Sequence, residues 1–180
     1  MINLLVEPWI QTYTGKKFDL LNPDFNSICI EDITHSLSNI CRYTGHVKSF
    51  YSVAQHSVLA SMSVPEEDAL SGLLHDAAEA YLTDISKPLK VLLPEYCRLE
   101  DNVWLKIAEK FNLPEILPAS VKDADLRLLA TEKRDLMSDY LPWKITDGVE
   151  CLKDKILPWG PDQAEFMFLK RFKELSGERI

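Results

Sequence analysis

The sequence predicts a single, mostly helical domain opened by a short β-hairpin. Three observations carry this. Apolar and polar residues alternate around a turn pair at residues 9–20; helical spacing of apolar residues runs through most of the remaining chain; and 180 residues suit one substantial core but not two ordinary domains. No repeat, linker or low-complexity tract interrupts the chain, so residues 1–180 read as one unit.

Taken in order, WIQTYTGKKFDL at 9–20 turns at Thr14-Gly15 and predicts the hairpin. Ile33, Leu37, Ile40 and Cys41 then keep the spacing of one buried helical face. The segment CRYTGH at 41–46 loosens the chain before a second helix, from about Tyr51 to Met62. Pro65 followed by Glu66, Glu67 and Asp68 suits a helix opening, because proline fits the first turn and acidic residues favour the positive end of the dipole. The run LSGLLHDAAEAYL is expected to continue as helix from there.

Pro88 and Pro94 break the chain, and Leu99, Val103, Trp104, Ile107, Ala108 and Phe111 mark the next helix. Ser120 with Asp123 resembles a capping pair opening a long helix through Val121, Ala124, Leu128, Leu129, Leu136 and Met137. Residues 141–161, rich in proline, glycine and tryptophan, read as irregular, with one short helix in DGVECLKDKIL; a lid, an interface and plain packing all suit them. Asp162 and Glu165 form a second capping pair for a last helix carrying Phe168, Leu169, Phe172 and Leu175.

Composition removes several function classes. No apolar run approaches the length that crosses a bilayer, so no membrane association is expected. The opening MINLLVEPWIQTYTG lacks a basic n-region and is interrupted by Glu7 and Pro8; a secretory signal is not expected, and cytoplasmic residence is the default. A net charge of −8 repels a nucleic-acid backbone, so no nucleic-acid polymer is expected as partner, whereas a small phosphate ligand needs only one or two local cations. Cys29, Cys41, Cys97 and Cys151 stand singly and read as reduced thiols.

The chemistry concentrates in His56, His75-Asp76, Glu79 and Asp125. Val53, His56 and Ala60 share one helical face, which points His56 inward, and Asp125 lies on the apolar stripe between Val121 and Leu128. A buried carboxylate needs a cation or strong donors. Each residue alone is most often a hydrogen-bonded core group, but His75, Asp76 and Glu79 project to overlapping faces, and that coincidence calls for a common cause. Two imidazoles and two carboxylates suit Zn²⁺, Mn²⁺, Co²⁺ or Fe²⁺ and leave coordination positions for water. His35 and His46 have no spacing that ties them to this group, although His46 closely follows Arg42.

These residues resemble the H…HD…D signature of the HD superfamily of metal-dependent phosphohydrolases. The likeness extends through CRYTGHVKSFYSVAQHS at 41–57, LLHDAAEAYLTDISKPLK at 73–90 and VKDADLRLLATEKRDLM at 121–137, and is similar to compact phage dATP triphosphohydrolases and bacterial 5′-deoxynucleotidases. The resemblance implies an HD helical bundle with His56, His75, Asp76 and Asp125 as ligands of a divalent metal, Zn, Mn or Co. It implies Glu79 as general acid or base supported by Asp84, Arg42 and Lys90 on the phosphate, and Tyr43, at an aromatic position usually held by Trp, against the sugar. A second ion such as Mg²⁺, with Lys48 and Lys87, would accompany a triphosphate; the alternative for these lysines is ordinary surface.

The activity implied is hydrolysis at the α-phosphorus of a deoxynucleotide, dATP to deoxyadenosine and triphosphate, the alternative being a 5′-deoxynucleotidase on monophosphates. A guanosine tetraphosphate hydrolase ranks lower, since Ala80 follows Glu79 where an acidic pair is expected, and a two-metal phosphodiesterase lacks the further histidines. A non-catalytic nucleotide-binding protein would not need Glu79. A homo-oligomer, dimer or hexamer, is also implied, with Phe166, Phe168 and Phe172 as contact surface, and residence in the host cytoplasm if the protein is phage-encoded.

Overall fold

The structure, a computed structural model, describes residues 7–138 and 141–177. Residues 1–6 of the opening segment, which is expected to be non-secretory, lie outside them. The described chain is mostly helical, with one two-stranded antiparallel sheet of β1 (Trp9–Gln11) and β2 (Lys17–Asp19). Ile10 sits opposite Phe18, and the turn between the strands uses Gly15 at a φ of +83°, a conformation that favours glycine. Two links fasten the hairpin. The wholly buried Phe18 ring stacks on Tyr81 at 3.9 Å, and Asp32 accepts hydrogen bonds from both the backbone N–H and the hydroxyl of Thr14.

The helices are α1 (Ile30–Asn39), α2 (Val53–Ser61), α3 (Ala69–Leu74), α4 (Glu79–Leu82), α5 (Lys87–Lys90), α6 (Pro94–Phe111), α7 (Ala119–Leu136) and α8 (Pro161–Ser176). Helix α2 is central, packed against α1, α3, α7 and α8, and nearly every one of its residues is buried. Val53, Ala54 and Val58 from α2 meet Ile33 and Leu37 of α1, Leu73 and Leu74 of α3, Val103 and Ile107 of α6, and Phe168 and Phe172 of α8 in one core. Gly72 lets α3 approach α2 closely, since a Cβ there would lie 3.1 Å from the Ser61 Cα. No helix among the described residues is long and apolar enough to cross a membrane.

Several local expectations are corrected. The run LSGLLHDAAEAYL is not one helix: α3 ends at Leu74, the backbone tightens so that Ala77, Glu79 and Ala80 bond three residues back, and α4 begins at Glu79. Neither predicted capping pair forms. Ser120 donates to Asp68 of the preceding helical layer, Glu165 meets His35, and Pro118 and Gly160 stand at the two N-caps without a side-chain bond. The segment DGVECLKDKIL carries no helix; the one turn nearby, Lys144–Thr146, precedes it.

That segment is instead strapped along α7 and α2. Arg134 donates to the carbonyls of Leu152 and Asp154, Asp135 accepts from the Ile156 N–H, and Gln55 bonds both Leu157 and Trp159. Phe168 and Phe172 are buried in this chain's own core, so of the three aromatic residues expected at an interface only Phe166 is exposed. Replacing Phe168 by Ala is predicted to cost about 3–5 kcal/mol of stability, measured as the shift of the denaturant midpoint monitored by helical circular dichroism.

Candidate metal centre

His56 stands in the middle of α2 with no solvent exposure, His75 closes α3, Asp76 follows in the tight turn, and Asp125 lies in the second turn of α7. The close α2–α3 approach brings the two imidazoles together, Nε2 to Nε2, at 3.2 Å. Asp125 Oδ1 lies 3.2 Å from His56 Nε2, and Asp76 Oδ2 lies 3.3 Å from His75 Nε2 and 3.6 Å from His56 Nε2. His56, His75 and Asp125 each offer one donor atom within 4.8 Å of the others, a group that can hold a metal ion. Metal–ligand bonds of about 2.0–2.2 Å place neighbouring ligand atoms roughly 3–3.5 Å apart, which is the spacing seen.

The far side of each ring fixes which nitrogen faces the centre. His75 Nδ1 donates to the Gly72 carbonyl at 2.8 Å, and His56 Nδ1 to Glu132 Oε1 at 2.7 Å. A carbonyl only accepts, so Nδ1 of His75 carries the hydrogen and Nε2 presents its lone pair; the ionised Glu132 imposes the same tautomer on neutral His56. With both Nε2 atoms directed at one another and at carboxylates, the centre attracts positive charge, which a metal ion or a proton on His56 Nε2 supplies. Burial and the Arg42 charge push the His56 imidazolium down, but Glu132 and the bond to Asp125 outweigh them and raise it to about 10. Burial works against ionised Asp125 too, yet the bond from His56 and the surrounding cationic groups hold its carboxyl well below the usual range.

Arg42 and Tyr43 sit on the loop at residues 42–45, where Tyr43, Thr44 and Gly45 all take positive φ values of 57°, 54° and 80°. For the first two this conformation costs on the order of 1–3 kcal/mol each and persists only where the surroundings enforce it. The Tyr43 hydroxyl donates to Glu132, its ring lies 5.7 Å from Trp143, and the Arg42 guanidinium covers the ring at 5.3 Å. Arg42 also reaches Asp76 and Glu132, each at 3.4 Å.

Glu79, the first residue of α4, is buried on the same side. Burial together with the Asp76 and Asp84 charges pushes its carboxyl well above the usual range, and its Oε2 has no hydrogen-bond partner among the described residues. Lys90 donates to Glu79 Oε1 at 3.1 Å and to Glu100 Oε1 at 2.6 Å. Asp84 is half-buried, and burial followed by the Asp76 charge raises its carboxyl, with Arg42 and Lys90 opposing. Lys48 and Lys87 are exposed and make no ion pair among the described residues. His35 stacks on Tyr13 and meets Glu165, and His46 is exposed.

Glu132, Tyr51, Glu100 and Trp143 were not singled out from sequence. Glu132 had a legible signal: it follows Asp125 by two helical turns and Leu128 by one, which puts a charged residue on the buried stripe of α7. Glu100 meets Lys90 across the short turn between α5 and α6, and Trp143 meets Tyr43 from a distant part of the chain; neither had a signal in the spacing. Substituting Ala for His75 or Asp125 is predicted to weaken Co²⁺ or Zn²⁺ binding by at least about a hundredfold, beyond the roughly 10–100-fold typical of losing an outer hydrogen-bond partner. Isothermal titration checks this, with His35→Ala as a variant that leaves the affinity unchanged.

No family model matches the chain. It is 48% identical over 172 residues to the uncharacterized protein YfdR of Escherichia coli, a match spanning 93% of this chain and 96% of that protein. It is also 36% identical over 126 residues to an uncharacterized protein of Rhodobacter capsulatus, 64% of each chain. The near end-to-end match at close to half identity places the chain in the same family as Escherichia coli YfdR.

Proposed function

We propose that this protein is a metal-dependent phosphohydrolase of the HD type that acts at the α-phosphorus of deoxynucleoside 5′-phosphates, cleaving dATP to deoxyadenosine and triphosphate. One observation carries the reading: donor atoms of His56, His75, Asp76 and Asp125, from three separate parts of the chain, are linked by contacts of 3.2–3.6 Å. Both rings are oriented from behind, and a set of two imidazoles and two carboxylates fits Zn²⁺, Mn²⁺ or Co²⁺. A divalent ion held by these four residues would polarise the phosphoryl oxygen and lower the pKa of a bound water. A second ion such as Mg²⁺ would accompany a triphosphate.

The chain's own residues supply the rest. Arg42 and Lys90 neutralise phosphate charge, which is most of what a loose phosphoryl-transfer transition state asks of a protein. Glu79, whose carboxyl is pushed upward by burial and neighbouring carboxylates, would act as the acid that gives a proton to the 5′-oxygen as the bond from that oxygen to phosphorus breaks. The attacking water forms the new bond to phosphorus and returns a proton to Glu79. Asp84 orients the water, and Tyr43, fixed by Glu132, sets the floor for the sugar. A second reading, a 5′-deoxynucleotidase on monophosphates, is favoured by the exposure of Lys48 and Lys87, which leaves Arg42 and Lys90 as the cations beside the cluster. A homo-oligomer is proposed as the working state.

Product analysis over a panel of dNTPs and dNMPs with Mn²⁺, Co²⁺ and Zn²⁺ tests both readings. Triphosphate and deoxyadenosine from dATP are expected; dAMP hydrolysis with dATP intact transfers the assignment to the second reading, and no hydrolysis of either defeats both. Glu79→Ala is predicted to lower kcat by about 10²–10⁴ while Co²⁺ affinity stays within a few fold, because Glu79 is not among the four ligands. An unchanged kcat removes its role in proton transfer.

A further inference from the structure

Glu132 has no solvent exposure, and the proposed mechanism does not consume it as acid, base or ligand. Such a carboxylate stays ionised away from water only where several donors converge on it. Here they come from three segments. Oε1 accepts from His56 Nδ1 at 2.7 Å and from the Tyr51 hydroxyl at 2.9 Å; Oε2 accepts from the Tyr43 hydroxyl and, at 3.4 Å, from Arg42. The other Arg42 amino group meets Asp76. One side chain on α7 therefore holds the back of a candidate metal ligand and both functional side chains of the 42–45 loop, whose left-handed backbone at Tyr43 and Thr44 needs an outside tether.

We infer that Glu132 is a positioning residue that couples the cation site to the substrate loop: it keeps the His56 Nε2 lone pair directed at the metal while fixing Arg42 and Tyr43 at the distance a phosphate and its sugar require. This rests on reading the site as a metal centre of a phosphohydrolase. Neutral Gln at this position is nearly isosteric. It can still accept from His56, but it carries no charge and presents an amide N–H₂ toward donors on one side, so the ring loses its anionic partner and the loop loses part of its anchor.

The test compares wild type with Glu132→Gln, using Co²⁺ alone as the probe of the centre. With helix content by circular dichroism unchanged, Co²⁺ affinity is expected to fall about 10–100-fold, the visible d–d bands to shift, and KM for the hydrolysed nucleotide to rise. Affinity and bands indistinguishable from wild type would overturn the inference. Should the variant fail to fold, proton NMR of Co²⁺-loaded wild type decides: hyperfine-shifted, exchangeable Nδ1–H resonances are expected from both His56 and His75, with that of buried His56 slow to exchange in D₂O. Absence of the slowly exchanging signal overturns the proposal. Wild type that shows these Co²⁺ signatures but hydrolyses no nucleotide defeats the hydrolase reading and leaves the role of Glu132 standing.

Discussion

Two imidazole nitrogens facing each other at 3.2 Å, with carboxylate oxygens on either side, cannot rest without positive charge between them, and much of the structure is arranged to create that demand. Helix α2 is buried on all sides because it carries His56 into the centre of the bundle. Gly72 removes the side chain that would keep α3 away, and α7 contributes Asp125 near its start and Glu132 farther along. The surplus of negative charge is spread over Asp76, Glu79, Asp84, Asp125 and Glu132. It raises the proton affinity of His56 and of Glu79 while Asp125 and Glu132 stay ionised, so neighbouring acids in one cluster are driven in opposite directions by local partners.

The two cations of the site are already engaged. Arg42 spans Glu132 and Asp76, and Lys90 bridges Glu79 and Glu100 while lying 5.8 Å from the Tyr96 ring. Any anion that enters competes with carboxylates for both, and Lys90 cannot turn toward it without releasing Glu79. The charge on an entering anion and the protonation of Glu79 are thereby tied together through one ammonium group.

The His56, His75 and Asp125 group that could hold a metal was legible in the adjacent pair His75-Asp76, in Glu79 one turn on, and in the stripe positions of His56 and Asp125, of which His56 is wholly buried as expected while the Asp125 side chain stays 44% exposed. The hairpin and the long helices were legible because periodicity records which face is buried. What escaped depends on contacts between distant segments. Ser120 and Glu165 have the chemistry of capping partners, but Asp68 and His35 lie within reach and take them instead. Residues 149–160 look like an irregular excursion in sequence; only the position of Arg134, Asp135, Thr131 and Gln55 on two helices shows that they run as a fastened strap.

The tightened backbone between α3 and α4 has a geometric consequence of its own. An α-helix advances 100° per residue and a 3₁₀ turn 120°, so three steps from Asp76 to Glu79 close a full circle in the tighter winding but fall about 60° short in the looser one. The backbone bond from the Glu79 N–H to the Asp76 carbonyl is of the tighter kind, so overwinding at this spot brings the two positions toward one line along the chain axis. A mutation that relaxed the segment into regular helix would leave both residues present and yet turn the Glu79 position out of phase with that of Asp76.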